Sequence, residues 1–230
     1  MNHDDGASGR LDRQALAAAV RTLTRRDPDL RRLVRRDGPP PLWARPAGFA
    51  TLLRIILEQQ VSLASAQATF SKLEAAAGVV SAQAVVALGY EGLRGLGFTR
   101  QKAGYGFALA QRLVGGELRL SRLARAGDDA ARGELMRVRG VGRWTADIYL
   151  LMALRRPDVW PTGDLALHHA LMRAKRLPSL PSAMEASHLA TVWAPWRSVA
   201  ARILWHAYLS ERATWKARII REHGARIMRA

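Results

Sequence analysis

The chain has 230 residues, 49% of them hydrophobic, enough to bury a sizeable core and too apolar for a mainly disordered protein. Its formal charge is +17, from 36 Lys plus Arg against 19 Asp plus Glu, with only four lysines, and an arginine excess of that size favours a polyanionic partner. There is no cysteine, which excludes disulfides, Cys-ligated zinc and iron–sulfur clusters.

In chain order, residues 1–10 are polar and are expected to form a disordered tail. Leu16, Val20 and Leu23 then mark one face of an amphipathic helix, and Asp37-Gly38-Pro39-Pro40-Pro41 breaks the chain after the Arg-rich N-terminal helices. Phe49, Leu52, Leu53, Ile56 and Leu57 predict a buried helix leading into Glu58-Gln59-Gln60-Val61-Ser62. Helical patterns follow over 64–77, 81–88, 100–114, 130–138 and 143–154. Leu177-Pro178-Ser179-Leu180-Pro181 is a second breaker, ahead of helical patterns over 182–192 and 196–228. Strand alternation is almost absent, so the expected class is all-α. The first residues lack a basic-then-apolar leader, and no apolar run reaches the ~20 residues that cross a bilayer. A cytoplasmic protein near the nucleoid is the expectation.

The most informative stretch runs from Leu135 to Asp164. A helix stops at Gly140, turns through Val141 and Gly142, and restarts at Arg143-Trp144-Thr145-Ala146. Two glycines one residue apart let backbone approach a ligand closely and leave the first N–H groups of the next helix facing outward, a geometry suited to phosphate. Downstream, Pro161-Thr162-Gly163-Asp164 opens another helix with a carboxylate. Asp164 reads either as a catalytic group or as an N-cap, and the two roles are compatible.

Four blocks, in order, resemble the helix-hairpin-helix DNA glycosylases, specifically the bacterial 3-methyladenine DNA glycosylase II branch. They are Glu58 to Ser62, the turn from Leu96-Gly97 to Lys102-Ala103, the hairpin through Asp164, and Ala194-Pro195-Trp196-Arg197-Ser198, covering about residues 39–210. The resemblance implies two helical lobes with the hairpin at the cleft, one formed by 11–45 and 175–230 and the other by 46–174. It implies that Asp164 is catalytic and that Gly140, Val141, Gly142, Arg143 and Thr145 hold the DNA backbone, commonly with an ion bridging carbonyls and phosphate. Gln59 and Gln60 fall where the family wedges into DNA, with the choice between them open. Trp144 and Trp196 match positions of the alkylated-base pocket. One departure is that the ~45 residues before the shared core are mostly helical, where a well-known member of the branch has a β-rich domain.

What the resemblance implies is excision of alkylated purines such as 3-methyladenine from double-stranded DNA by a monomeric hydrolase of base excision repair. The lyase members place a lysine where this chain has Trp144, so no lyase activity is expected. No cofactor and no catalytic metal are expected, because the adjacent His168 and His169 diverge on a helix and no His-Glu-x-x-His pattern occurs. The other readings are a non-catalytic DNA-binding protein whose Asp164 only caps a helix, and a glycosylase for oxidised or deaminated bases. Of seven tryptophans, Trp43, Trp160, Trp193, Trp205 and Trp215 read first as core. Arg25, Arg26, Arg31, Arg32, Arg35, Arg36, Arg155, Arg156 and Arg173 are candidates to line a DNA groove.

Overall fold

A computed structural model of the chain describes residues 9–227, with side chains as far as 213. The expected tail therefore lies mostly outside the described residues, as does the Trp215 side chain. All the regular structure described is helical: α1 (Arg13–Arg26), α2 (Pro28–Asp37), α3 (Phe49–Glu58), α4 (Leu63–Ala77), α5 (Ala82–Gly95), α6 (Arg100–Val114), α7 (Leu120–Leu123), α8 (Asp128–Met136), α9 (Arg143–Met152), α10 (Leu165–Lys175), α11 (Ala183–Leu189) and α12 (Arg197–Ile227), with a 3-10 turn at Ala190–Trp193.

The helices fall into two compact units, one built from the chain's two ends, up to Leu42 and from Pro157 onward, and one from Trp43–Arg156. This corrects the expected boundary at 174. The stretch from Pro157 through α10 belongs with the ends, because α10 packs on α12 and α2.

In the Trp43–Arg156 unit, α3 is buried on nearly every side, with Leu52, Leu53, Ile55, Ile56 and Leu57 all inside. Each such side chain contributes about 1.5–3 kcal/mol on leaving water. Around it pack α4, α6 and α9. Phe70, Leu73, Val85, Leu93 and Phe98 complete the core against Leu53 and Leu57. Ser62, Ser81 and Thr99 cap α4, α5 and α6 by accepting hydrogen bonds from backbone N–H groups. The pattern over 81–88 is the first half of α5, which bends at Gly89 and runs on to Gly95.

In the unit of the two ends, Leu16, Val20 and Leu23 of α1 are buried as the periodicity predicts, with Leu30 and Leu33 of α2 and Leu167 and Leu171 of α10. Asp27 joins these helices. Its Oδ1 accepts from the N–H groups of Asp29 and Leu30, capping α2, while Oδ2 accepts from Lys175 Nζ and Trp193 Nε1, both at 2.8 Å. Trp193, 1% exposed, also lies against Trp160, ring centroids 5.7 Å apart, so both indoles are core as read. Arg202 is fully buried, donating from Nε to Leu42 O and from a terminal nitrogen to Ser198 O, and burial pushes its guanidinium down to about 10.

Burial works to raise the Asp27 carboxyl, but the hydrogen bonds from Lys175, Trp193 and Leu30 outweigh it and hold it below the ordinary 3.8. Lys175 is held above its ordinary 10.5: burial opposes this, and Asp27 and Asp29 overcome it. The stability from Asp27 is thus present above pH 3.8 and lost as pH falls through the lower folded value; that from Lys175 is present below 10.5 and lost above it. Acid titration of thermal unfolding is expected to show a falling limb below pH 4 that Asp27→Asn flattens, with the variant about 3 kcal/mol less stable at neutral pH. An unchanged acid limb would remove the network from the stability of this unit.

Candidate functional site

The hairpin occupies residues 137–142 between α8 and α9. Val138 and Val141 are buried, and Val141 N donates to Val138 O at 3.0 Å, closing the turn. Gly140 has φ +88°, and a Cβ there would lie 2.2 Å from the Tyr105 ring, so glycine is required twice over, by conformation and by contact. Gly142 differs. It is the N-cap of α9 at φ −86°, no side chain caps the helix start, and a Cβ would meet nothing within 4 Å. Its missing side chain serves nothing inside the protein, which fits a surface kept clear for a ligand at the helix start.

The two glycines therefore separate in experiment. Gly140→Ala is expected to disrupt the hairpin, with partial recovery in the double variant carrying Tyr105→Ala. Gly142→Val is expected to leave thermal stability unchanged and to weaken binding to every duplex about tenfold, as a backbone grip requires. A loss confined to one DNA sequence would argue against that grip.

The hairpin is held from behind by Gln59, whose Nε2 donates to Gly140 O and Thr145 Oγ1, both at 2.8 Å. Gln59 itself is fixed because Lys102 Nζ donates to Leu57 O at 2.6 Å and Gln59 O at 2.7 Å, tying down the end of α3. Burial lowers the Lys102 ammonium below its ordinary value. Just before the loop, Glu58 accepts two hydrogen bonds from Arg45, at 2.9 and 3.0 Å. The two glutamines are placed differently. Gln59 faces the hairpin, whereas Gln60 is exposed at φ +55°, followed by the exposed Val61, Ser62 and Leu63. Val141 and Thr145 were expected at DNA; the two residues are 4% and 2% exposed, so neither side chain is presented at the surface. Arg143 is exposed at the start of α9, and its Nε lies 3.8 Å from Asp147 Oδ2.

Asp147, with no exposed surface, receives Arg132 Nε at 2.6 Å, joining α9 to α8 across the hairpin. Burial opposes the Arg132 charge, but Asp147 and Asp129 raise its pKa overall. From the other side, Tyr149 OH of α9 accepts from Gly48 N at 3.0 Å, and burial pushes this phenol up to about 12.

Asp164 lies in the other unit. A turn closed by Asp164 N donating to Pro161 O, with Gly163 at φ +83°, delivers it to the N-cap of α10. The carboxylate is partly exposed, and its Oδ1 accepts from Leu167 N at 2.9 Å and from Trp205 Nε1 at 3.2 Å. The cap reading is therefore correct as structure, and it leaves the carboxylate reachable. The Trp196-Arg197-Ser198 block anchors the approach to Asp164: Arg197 makes two side-chain hydrogen bonds to Asp158, and Ser198 Oγ accepts from Val159 N and donates to Val159 O. Trp144 and Trp196 are both half-buried, the first in the hairpin unit and the second in the unit of Asp164.

Several of the candidate groove arginines are engaged elsewhere. Arg156 donates to the carbonyls of Leu123, Ala124 and Ala126, Arg173 and Arg36 pair with Glu211, and Arg32 donates to Ala174 O. Arg31 and Arg35 are exposed on α2. His168 is buried in α10, and His206 Nε2 lies 2.9 Å from Asp37 O.

An all-helical chain with a glycine hairpin between two helices and an aspartate opening a later helix is the architecture of helix-hairpin-helix DNA-repair proteins. Residues 53–195 match the model of the HhH-GPD superfamily base excision DNA repair proteins, and the chain belongs to that superfamily. DNA-3-methyladenine glycosylase 1 of Schizosaccharomyces pombe is 26% identical over 198 residues, 83% of this chain and 87% of its own length. A Bacillus subtilis relative is 27% identical over 167 residues, of which this chain spans 58%. The S. pombe 3-methyladenine DNA glycosylase solved with abasic DNA superposes with TM-score 0.74 at 24% identity, covering 82% of this chain and 95% of that one. A Bacillus halodurans DNA-3-methyladenine glycosidase gives 0.71 at 25% identity, covering 83% and 88%.

Proposed function

We propose that the protein is a monofunctional DNA glycosylase that removes alkylated purines such as 3-methyladenine from duplex DNA, working as a monomer in the cytoplasm. The observation that carries this reading is Asp164: a reachable carboxylate fixed by two N–H donors, in a chain of a base excision repair superfamily. As the C1′–N bond breaks, its electron pair leaves with the base and positive charge builds on the sugar, where a fixed carboxylate stabilises it. Water then adds at C1′ and loses a proton, leaving an abasic site. An alkylated purine is cationic and leaves readily, so aromatic faces at Trp144 and Trp196 suffice to favour it by stacking and cation–π attraction. The hairpin backbone with Arg143 takes the phosphates, and Gln60 enters the space of the extruded base.

Amine chemistry finds no support in the lysines near these elements. Trp144 stands where a lyase would carry its amine, Lys102 Nζ is committed to two carbonyls, and Lys175 to Asp27 and Asp29. The test is base release from duplexes carrying 3-methyladenine, 7-methylguanine, hypoxanthine, ethenoadenine or 8-oxoguanine. Alkylated purines are expected to be released fastest, with the strand intact until heated in alkali and no adduct trapped by borohydride. Preference for 8-oxoguanine would move the protein to oxidised bases, trapping would make it a lyase, and DNA binding without release would leave a non-catalytic DNA-binding protein.

A further inference from the structure

We propose that Trp205 is a positioning residue for base release, holding the Asp164 carboxylate in one orientation without neutralising it. The inference rests on the catalytic reading of Asp164. Other caps in this chain, at Asp12, Ser62, Ser81 and Thr99, each accept one backbone N–H, from Ala15, Ser65, Ala84 and Lys102 respectively. Asp164 takes its backbone donor from Leu167 and in addition a side-chain donor from α12, Trp205 Nε1 at 3.2 Å on the same Oδ1. Trp205 is only 8% exposed, so the indole is held by its surroundings and the donor does not wander.

The chemical character of that donor matters. An indole N–H gives one hydrogen bond, accepts none and carries no charge. Asp27, in the same unit, shows what a charged donor adds: its Oδ2 receives an indole N–H from Trp193 and also the Lys175 ammonium, whose charge offsets its own. A carboxylate meant to face a developing sugar cation needs the orientation and must keep its charge. At Asp164 the Leu167 and Trp205 donors on Oδ1 are both neutral, so they restrain carboxylate rotation without themselves offsetting its negative charge. The single indole bond supplies preorganisation, since the carboxylate does not have to reorient as the C1′–N bond breaks.

The experiment is single-turnover release of methylated purines from a dimethyl sulfate-treated duplex, with affinity for an abasic-site duplex measured alongside, for Trp205→Phe, Asp164→Asn and the double variant. Trp205→Phe is expected to slow release about tenfold or more, with abasic-duplex affinity within about twofold of wild type. In the Asp164→Asn background the same change is expected to cost almost nothing, because a positioning residue acts through the group it positions. A loss of equal size in both backgrounds would show a general packing effect and overturn the proposal, as would wild-type release by folded Trp205→Phe. Should the phenylalanine variant not fold, benzothienylalanine at position 205 keeps the ring size and removes only the N–H; wild-type release by that protein would overturn the proposal equally. If Asp164→Asn itself releases base normally, the catalytic reading of Asp164 fails and takes this inference with it. If Asp164→Asn is slow and Trp205→Phe is not, only this inference fails.

Discussion

Asp164→Asn is expected to slow base release about a hundredfold or more while leaving duplex affinity nearly intact. The substitution keeps an oxygen for the Leu167 and Trp205 donors, so α10 remains capped and what disappears is the negative charge. Neutral hypoxanthine is expected to lose more than the cationic methylated purines, whose departure is intrinsically easier. Single-turnover rates on both substrates check this. A folded variant with normal rates would assign Asp164 to capping alone, and a larger loss on the cationic bases would contradict electrostatic stabilisation of the sugar.

Asp147→Ala is expected to cost the Trp43–Arg156 unit about 3–5 kcal/mol, the usual consequence of leaving a buried charge without its partner. At roughly 4 °C per kcal/mol for a unit near 100 residues, the midpoint of thermal unfolding falls by about 12 °C or more. Arg132 would retain only Asp129 at the exposed edge, and α8 and α9 would lose the bond that spans the hairpin. Replacing both partners by apolar residues, with Arg132→Met and Asp147→Leu together, is expected to recover most of the stability. Thermal unfolding of the three variants decides it, and a single variant within 1 °C of wild type would remove the pair from the hairpin's support.

Local patterns in the sequence carry much of this. The periodicity of Leu16, Val20 and Leu23, the apolar run from Phe49 to Leu57, and the turn at Gly140 to Gly142 all predict elements that the structure contains, because each depends on residues a few positions apart. The short α7, the continuation of α5 past Gly89 and the division at Pro157 are set by packing and leave no such trace. The same distinction runs through the site. Asp164 is legible as a cap from its own neighbourhood, and as a candidate catalytic carboxylate from the resemblance that the upstream hairpin helps to carry. Its indole partner, 41 residues on, reads as one more core tryptophan. Gln59 and Gln60 are identical by type and adjacent, and what separates their placement is the bonding of Gln59 to Gly140 O and Thr145 Oγ1, 81 and 86 residues away.

That separation bears on how DNA would be searched. On the proposed function, in which Gln60 enters the DNA, the bonding of Gln59 to the hairpin and of Lys102 to the end of α3 sets the segment presenting Gln60 before any duplex arrives, so little ordering entropy is lost on contact. A fixed probe of this kind tests each base step by pressing on it and yields only where the pair gives way. The first round of discrimination then belongs to the duplex, with weakened pairs reporting themselves, and the aromatic residues need judge only those bases that have already come out.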